Sequence, residues 1–256
     1  MKDPTTNLGA HGLSRRTAVL ALSLAAAAAP VLAHAKTRTD RTMDTKAEAE
    51  ADARMLVGMV VFDGFQLLDV FGPLEMFGAL RDKVRIVIVA ERSGPVASSA
   101  GPSIGVDYTF DTVPDLGVLL VPGGAGTRRE VNNAHLVDRL KSLAIKTPNV
   151  ATVCTGAAVL ARTGLLDGLK ATTNKRAFAW ASGQGEKVHW VKRARWVEDG
   201  KYFTSSGISA GMDMALALIA KLFGRQTAVG VANGAEYRWT EDAHDDPFAG
   251  LYGLAD

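Results

Sequence analysis

One cysteine, Cys154, closes the β-branched run Asn149-Val150-Ala151-Thr152-Val153 and is followed by the small, apolar, helix-prone residues Thr155-Gly156-Ala157-Ala158-Val159-Leu160. That order of residues predicts a buried strand, a sharp corner and a helix, with a thiol at the corner, as in a nucleophile elbow. Free N–H groups and the helix dipole at a helix N-terminus favour an anion, so the expected thiol pKa lies below the ~8.5 of a free cysteine. Gly156 keeps bulk out of the corner, and backbone N–H groups just after the cysteine can receive charge developing on a substrate. The alternative is a small core thiol, a common fate of a free cysteine.

Asp69 and Thr155 are the other residues whose types fit this chemistry. Asp69 lies soon after the first apolar strand, where a helix is expected to begin. As an N-cap it would be structural; as a carboxyl near Cys154 it would exchange a proton with the thiol. The sequence leaves both open. The hydroxyl of Thr155 is expected to cap the following helix, a role compatible with donating to a substrate. Pro122-Gly123-Gly124-Ala125-Gly126 follows an apolar strand, and its glycines allow backbone N–H groups to approach a ligand. Gly123 and Gly124, with Gly156, are therefore candidate substrate or oxyanion-binding positions. Of the five histidines none stands in a metal-ligand or Cys–His spacing, and no Gly-x-Gly-x-x-Gly is present, so neither a metal nor another cofactor is expected. Asp213 is expected to serve the first turn of its helix.

These groups need a scaffold that brings strand ends together. Apolar strands are expected at Leu56 to Phe62, Val84 to Ala90, Ile104 to Tyr108, Val118 to Val121 and Asn149 to Val153, with a short one at Lys170 to Thr173 and a hairpin across Arg195 to Thr204 turning at Asp199-Gly200. Helices are expected from Asp69 with Pro73 in the first turn, over Val131 to Lys146, after Cys154, over Ser209 to Phe223 and over Gln226 to Trp239. Apolar strands alternating with helices predict an α/β fold, a doubly wound, mainly parallel sheet flanked by helices. Ligands bind at the C-terminal strand ends of such sheets, where the glycine loop and Cys154 both fall.

The composition is that of an ordinary globular protein, 47% hydrophobic and 22% charged over 256 residues. The formal net charge is +2, from 29 basic and 27 acidic residues. Without Lys2, Arg15, Arg16 and Asp3 of the first 35 residues it is neutral, which argues against a nucleic-acid partner. Ser14-Arg15-Arg16 precedes an uncharged Ala- and Leu-rich run from Thr17 to Ala33, and Ala33-His34-Ala35 offers a signal-peptidase site. Residues 1–35 are therefore expected to be a Tat-like signal peptide that directs the protein to the periplasm or otherwise out of the cytoplasm, with no stable membrane association after cleavage. Residues 36–54 are polar and aperiodic, a flexible linker; 55–250 form the folded domain and 251–256 a short tail.

Phe62-Asp63-Gly64-Phe65-Gln66-Leu67-Leu68-Asp69-Val70-Phe71-Gly72-Pro73, Val121-Pro122-Gly123-Gly124, Val153-Cys154-Thr155-Gly156, the segment Gly164 to Thr173 and the segment Thr204 to Asp213 together resemble the DJ-1/PfpI superfamily. Its α/β sandwich and cysteine elbow are shared with class I glutamine amidotransferases, a flavodoxin-like arrangement. Within it the chain is similar to isonitrile hydratases, a resemblance that implies a functional group of Asp69, Cys154 and Thr155. The implied reaction hydrates an isonitrile to an N-substituted formamide, with a small-molecule substrate, no cofactor and a homodimeric protein. Thr155 stands where PfpI-type proteases carry His, which argues against proteolysis. Asn174-Lys175 replaces the His-Trp usual in the hydratases and in related regulators, a change expected to alter the pocket wall. The regulators also append a helix-turn-helix domain, for which this chain leaves no room. Two other functions fit the same residues: a non-catalytic binding or redox-sensing module, and a glyoxalase-like enzyme acting on reactive carbonyls.

Overall fold

The computed structural model describes residues 53–254 apart from Asp245; the expected leader and nearly all of the linker lie outside the described residues. Along the chain the elements are β1 (Met55–Val60), α1 (Leu67–Gly78), β2 (Val84–Ala90), β3 (Pro95–Ala97), β4 (Ser103–Gly105), β5 (Tyr108–Thr109), β6 (Val118–Val121), α2 (Thr127–Glu130), α3 (Ala134–Lys146), β7 (Asn149–Thr152), α4 (Gly156–Arg162), β8 (Lys170–Ala171), α5 (Phe178–Ser182), β9 (His189–Trp190), β10 (Trp196–Asp199), β11 (Tyr202–Ser205), α6 (Ala210–Phe223), α7 (Arg225–Gly234) and α8 (Phe248–Leu251). No helix among the described residues is long and apolar enough to cross a membrane.

Seven strands form one sheet in the order β10-β11-β7-β6-β1-β2-β5, parallel except for the β10–β11 hairpin. Nearly every residue of β1, β6 and β7 is buried, as expected of strands covered on both faces. Helices α1 and α6 pack on each other, as do α3 and α4. The α/β class is therefore as expected, and the strand order adds what periodicity does not contain. From β1 the chain steps to β2 on one side, then returns to β6 on the other. The direction of winding reverses there, so the loops after β1 and β6 diverge to opposite faces and leave a crevice between them. Gln66 N–H donates to Gly123 O at 2.9 Å, and Gly126 N–H to Gly64 O at 3.1 Å, which ties the rims of that crevice together.

Local expectations failed where a cap or a loop decides the element. Helix α1 begins at Leu67, so Asp69 is its third residue and Pro73 its seventh. Pro73 cannot donate to the carbonyl of Asp69 four residues back. The helix expected from Val131 begins instead at Ala134, as α3, because Asn133 caps it through its side chain, accepting from Leu136 N–H at 3.3 Å, and the short α2 precedes the expected span. The strand expected over Ile104 to Tyr108 is two shorter ones, β4 and β5, and α7 stops at Gly234 rather than Trp239.

Asp213 has a larger role than its helix turn. Its carboxylate is wholly buried and pairs with buried Arg195 at 2.6 Å, while its other oxygen accepts from Tyr237 Oη and Thr240 N–H. It thus joins α6 to the β10 entry and to the segment after α7. Removing one partner of a buried pair strands the other charge, at a cost of about 3–5 kcal/mol. Asp213→Ala is expected to lower the urea midpoint accordingly, whereas Glu241→Ala, which breaks the exposed Arg225 pair, is expected to move it little.

Candidate active site

The corner after β7 is built as the residue order implies. Cys154 adopts φ +57°, a left-handed conformation that is uncommon outside glycine. Its N–H donates to the carbonyls of Ser205 and Ser206 beyond β11, and its carbonyl accepts from Thr173 Oγ1 at 2.8 Å. Two segments singled out in the sequence, Gly164 to Thr173 and Thr204 to Asp213, therefore hold the strained residue. Helix α4 starts directly afterwards at Gly156, where a Cβ would press on the carbonyls of Val121 and Pro122.

The capping roles considered for Asp69 and Thr155 are not the ones observed. Asp69 is not the N-cap of α1; Gln66 is, and no side chain caps that helix. The Asp69 carboxyl is fully buried, with Oδ2 accepting from Gly123 N–H at 2.9 Å and Oδ1 lacking any conventional donor. The remaining partner of the carboxyl is the Cys154 thiol. Thr155 occupies the N-cap position of α4, yet its side chain makes no cap bond. Its hydroxyl accepts instead from Gly124 N–H at 3.2 Å and from Thr127 Oγ1 at 3.1 Å. The single proton of the Thr127 hydroxyl is shared with Gly124 O, at 2.7 Å, in a small network that fixes the glycine loop.

Gly123 and Gly124 thus place their N–H groups on protein partners. A Cβ on Gly123 would lie 2.6 Å from Thr155 N and 2.8 Å from Asp69 Oδ2, so a side chain there would force the triad apart. Gly124 requires glycine for its conformation, φ +127°. Gly156 N–H returns to Val153 O. The backbone N–H acting on the thiol is that of Thr155.

The titration of the pair departs from expectation. Burial pushes the Asp69 carboxyl up to about 7, against the pull of Gly123 N–H and the thiol. Burial, and then the charge of Asp69, push the Cys154 thiol well above its ordinary range, and the N–H of Thr155 opposes only part of this. The expected low thiol pKa is therefore corrected. The helix N-terminus supplies one favourable field, which desolvation and the neighbouring carboxylate outweigh. The pair holds two protons below about pH 7 and one above it, and its ionisations belong to both residues.

Cys154 opens on a cavity of about 570 Å³ lined by Gln66, Gly124, Ala125, Arg128, Thr155, Asn174, Arg176, Ala177, Ala179, Trp180 and Ile208. Asn174 forms part of its wall as expected; Lys175 does not. The Lys175 ammonium is buried and donates to Thr172 Oγ1 at 2.8 Å and Ala194 O at 2.6 Å, and burial lowers its pKa to about 8. Gly207 leaves the space that the Asn174 side chain fills. Arg128, Arg176 and Trp180 escaped sequence reasoning, since the first is an unremarkable residue beyond the glycine loop and α5 is too short to show a period. A larger cleft of about 850 Å³ at the opposite ends of β1 and β6, near Met55, Gly117 and Lys146, lies away from Cys154 and Asp69. Among the described residues no cluster has the make-up of a metal site.

A parallel α/β sheet with a cysteine elbow at its winding reversal and a buried carboxyl beside the thiol defines a class of cysteine-centred α/β proteins. Within that class, the chain belongs to the DJ-1/PfpI family, which matches residues 55–221. It is 36% identical to the isonitrile hydratase of Pseudomonas putida over 181 residues, 71% of this chain and 78% of that one. It is 30% identical to the HTH-type transcriptional regulator GbdR of Pseudomonas aeruginosa, covering 74% of this chain but 52% of the regulator; the chain spans about half the length of that relative. Among solved structures, a ThiJ/PfpI family protein from Pseudomonas syringae superposes with a TM-score of 0.67 at 33% identity, covering 72% of this chain and 75% of that one. Drosophila melanogaster DJ-1beta shares the fold, with a TM-score of 0.64 at 20% identity.

The Asp69 shift also bears on stability. Its carboxyl binds a proton more tightly in the native chain (about 7) than in the unfolded one (3.8). Unfolding releases that proton between those values, so this residue's contribution falls as pH rises through the window and levels off above pH 7. At ~1.4 kcal/mol per unit, Asp69→Asn, which retains an acceptor for Gly123 N–H, is expected to gain about 2–3 kcal/mol relative to wild type between pH 5 and pH 8. Urea titrations of both proteins at the two pH values measure this. A pH-independent difference would remove the buried carboxylate from the account.

Proposed function

We propose that the chain is a cysteine-dependent hydratase that converts an isonitrile to an N-substituted formamide. The observation that carries this reading is the isolated Asp69–Cys154 pair. A buried carboxyl with one backbone donor and a thiol for its other partner is placed to move one proton and little else. The similarity to an isonitrile hydratase supports the choice of substrate.

In this mechanism Cys154 Sγ attacks the terminal carbon of R–N≡C, and the thiol proton passes to Asp69. Asp69 delivers it to the same carbon, giving the thioimidate R–N=CH–S–Cys154. Asp69, again a carboxylate, takes a proton from water as the water oxygen adds to that carbon. The proton goes to nitrogen, forming R–NH–CH(OH)–S–Cys154. Asp69 then accepts the hydroxyl proton as the C–S bond breaks, and returns it to the leaving sulfur. R–NH–CHO departs, and the net change is addition of one water. Thr155 holds Gly124 and the loop at the reacting carbon, and its N–H stabilises the sulfur anion. A binding or sensing module would use the same cavity without this cycle, but it has no need of a proton carrier kept beside the sulfur.

The reactive pair carries one proton. The rate is therefore expected to be low when both groups are protonated and to rise with pH through an apparent pKa near 7. In kcat/KM for a simple isonitrile, Asp69→Asn is expected to lose ~10²–10⁴-fold and the rising limb, and Cys154→Ala all turnover. Activity of Asp69→Asn within about threefold of wild type would reject the proton-carrier role.

The proposal includes an exported protein acting as a homodimer. Ser14-Arg15-Arg16 and the apolar run behind it support export, and exposed Leu68 and Phe71 on α1 support association. Mature protein recovered from the envelope is expected to begin at Lys36. An intact mass that retains residues 1–35 would oppose cleavage.

A further inference from the structure

The lining of the Cys154 cavity contains two guanidinium groups and no exposed carboxylate. Arg128 stands with its guanidinium carbon 4.1 Å from the centre of the Trp180 ring, a cation–π contact that holds the charge against one wall. Among the described residues its side chain makes one other bond, a long one of 3.4 Å from Nη1 to Thr127 Oγ1, so most of its donors have no protein partner there. Arg176 lies on the loop between Asn174 and α5, solvent-exposed, and among the described residues no carboxylate pairs with it or with Arg128.

Nearby acids are already engaged elsewhere. Glu130 is bound by Arg129 and Asn133, and Asp63 by Arg92. Asp69 lies behind the thiol, titrates near 7 and faces sulfur. The buried ammonium of Lys175, one residue from Arg176, is met by the charge of buried Asp246 behind the wall. The potential at the cavity mouth is thus set by the guanidinium groups of Arg128 and Arg176. Low-dielectric walls such as Trp180 and Ile208 strengthen that field for anything inside. A neutral isonitrile would make no use of it.

From this juxtaposition we propose that the site takes a small monoanionic substrate, a carboxylate whose acid group is bound by Arg128 and Arg176 while its electrophilic carbon reaches Cys154. Planar guanidinium groups match carboxylate oxygens in paired hydrogen bonds. On the hydratase reading, on which the full form of the inference rests, the substrate is an isonitrile bearing a carboxylate a few bonds from the isonitrile carbon. The two arginines are then specificity-determining residues, placed by this chain's own Gly-Thr-Arg128 and Asn174-Lys175-Arg176 sequences.

Two measurements test this independently. The first compares kcat/KM for isocyanoacetate and its methyl ester, an anion and a neutral compound with the same reacting group. The second compares alkylation of Cys154 by iodoacetate and iodoacetamide, normalised to the same ratio for a small free thiol, and needs no turnover. In both, wild type is expected to favour the anion by about tenfold at low salt. Arg128→Gln/Arg176→Gln is expected to abolish the preference, 0.5 M NaCl to weaken it, and Arg139→Gln on the opposite end of the sheet to leave it unchanged. If neither isonitrile is hydrated but alkylation keeps the Arg-dependent anion preference, the hydratase reading fails and the anionic substrate class stands. A wild-type alkylation ratio equal to that of the free thiol, or one unchanged in the double variant, overturns the proposal.

Discussion

A carboxyl group deprived of water is the constraint on which the rest of this molecule depends. Asp69 is fully buried with a single backbone donor, and its titration rises to about 7 as a result. Such a group is tolerated only where packing leaves no alternative, because an unsatisfied polar atom in the interior costs of order 1–3 kcal/mol. The packing comes from α1, whose third residue it is, and from the loop after β6, whose Gly123 closes over it. These two segments adjoin because β1 and β6 are neighbours at the reversal of winding. The fold's topology and the carboxyl's proton affinity are thus one fact seen at two scales.

The cysteine elbow was legible in the sequence because its signals are local. A β-branched run, a lone cysteine, two small residues and a helix-prone stretch each act over a few positions, and they agree. The same holds for the fully apolar strands, whose burial follows from composition alone. Asp69 was not settled by such signals. Whether it caps a helix or faces a thiol depends on a loop 54 residues away, and no local pattern encodes that distance. Thr155 was misassigned for the same reason: N-cap position and N-cap chemistry usually coincide, but here the loop N–H of Gly124 competes for the hydroxyl.

The thiol pKa shows a different kind of failure. A helix N-terminus lowers a cysteine pKa by fractions of the energy that burial can oppose, and the sequence gives the first without the second. The structure supplies both, and desolvation with the Asp69 charge prevails. The resting Cys154 is consequently a protonated thiol with the Asp69 carboxyl alongside rather than a standing thiolate. Asn174-Lys175 illustrates the reverse. The sequence led to the expectation that this pair alters the pocket wall, but only packing could divide the two residues between cavity wall and buried scaffold.

A protonated thiol beside a half-titrated carboxyl has a consequence for selectivity. A permanent thiolate reacts with any electrophile or oxidant that reaches it. A thiol that ionises only as Asp69 receives its proton is activated within the pair, so reactivity depends on a ligand that excludes water and fixes the geometry. The strained backbone at Cys154, held by the Ser205 and Ser206 carbonyls and by Thr173, prevents the sulfur from moving away from that base. Rigidity at the corner and restraint in ionisation therefore act together. The elbow directs the sulfur at the cavity, and in the proposed mechanism the buried carboxyl determines when it reacts.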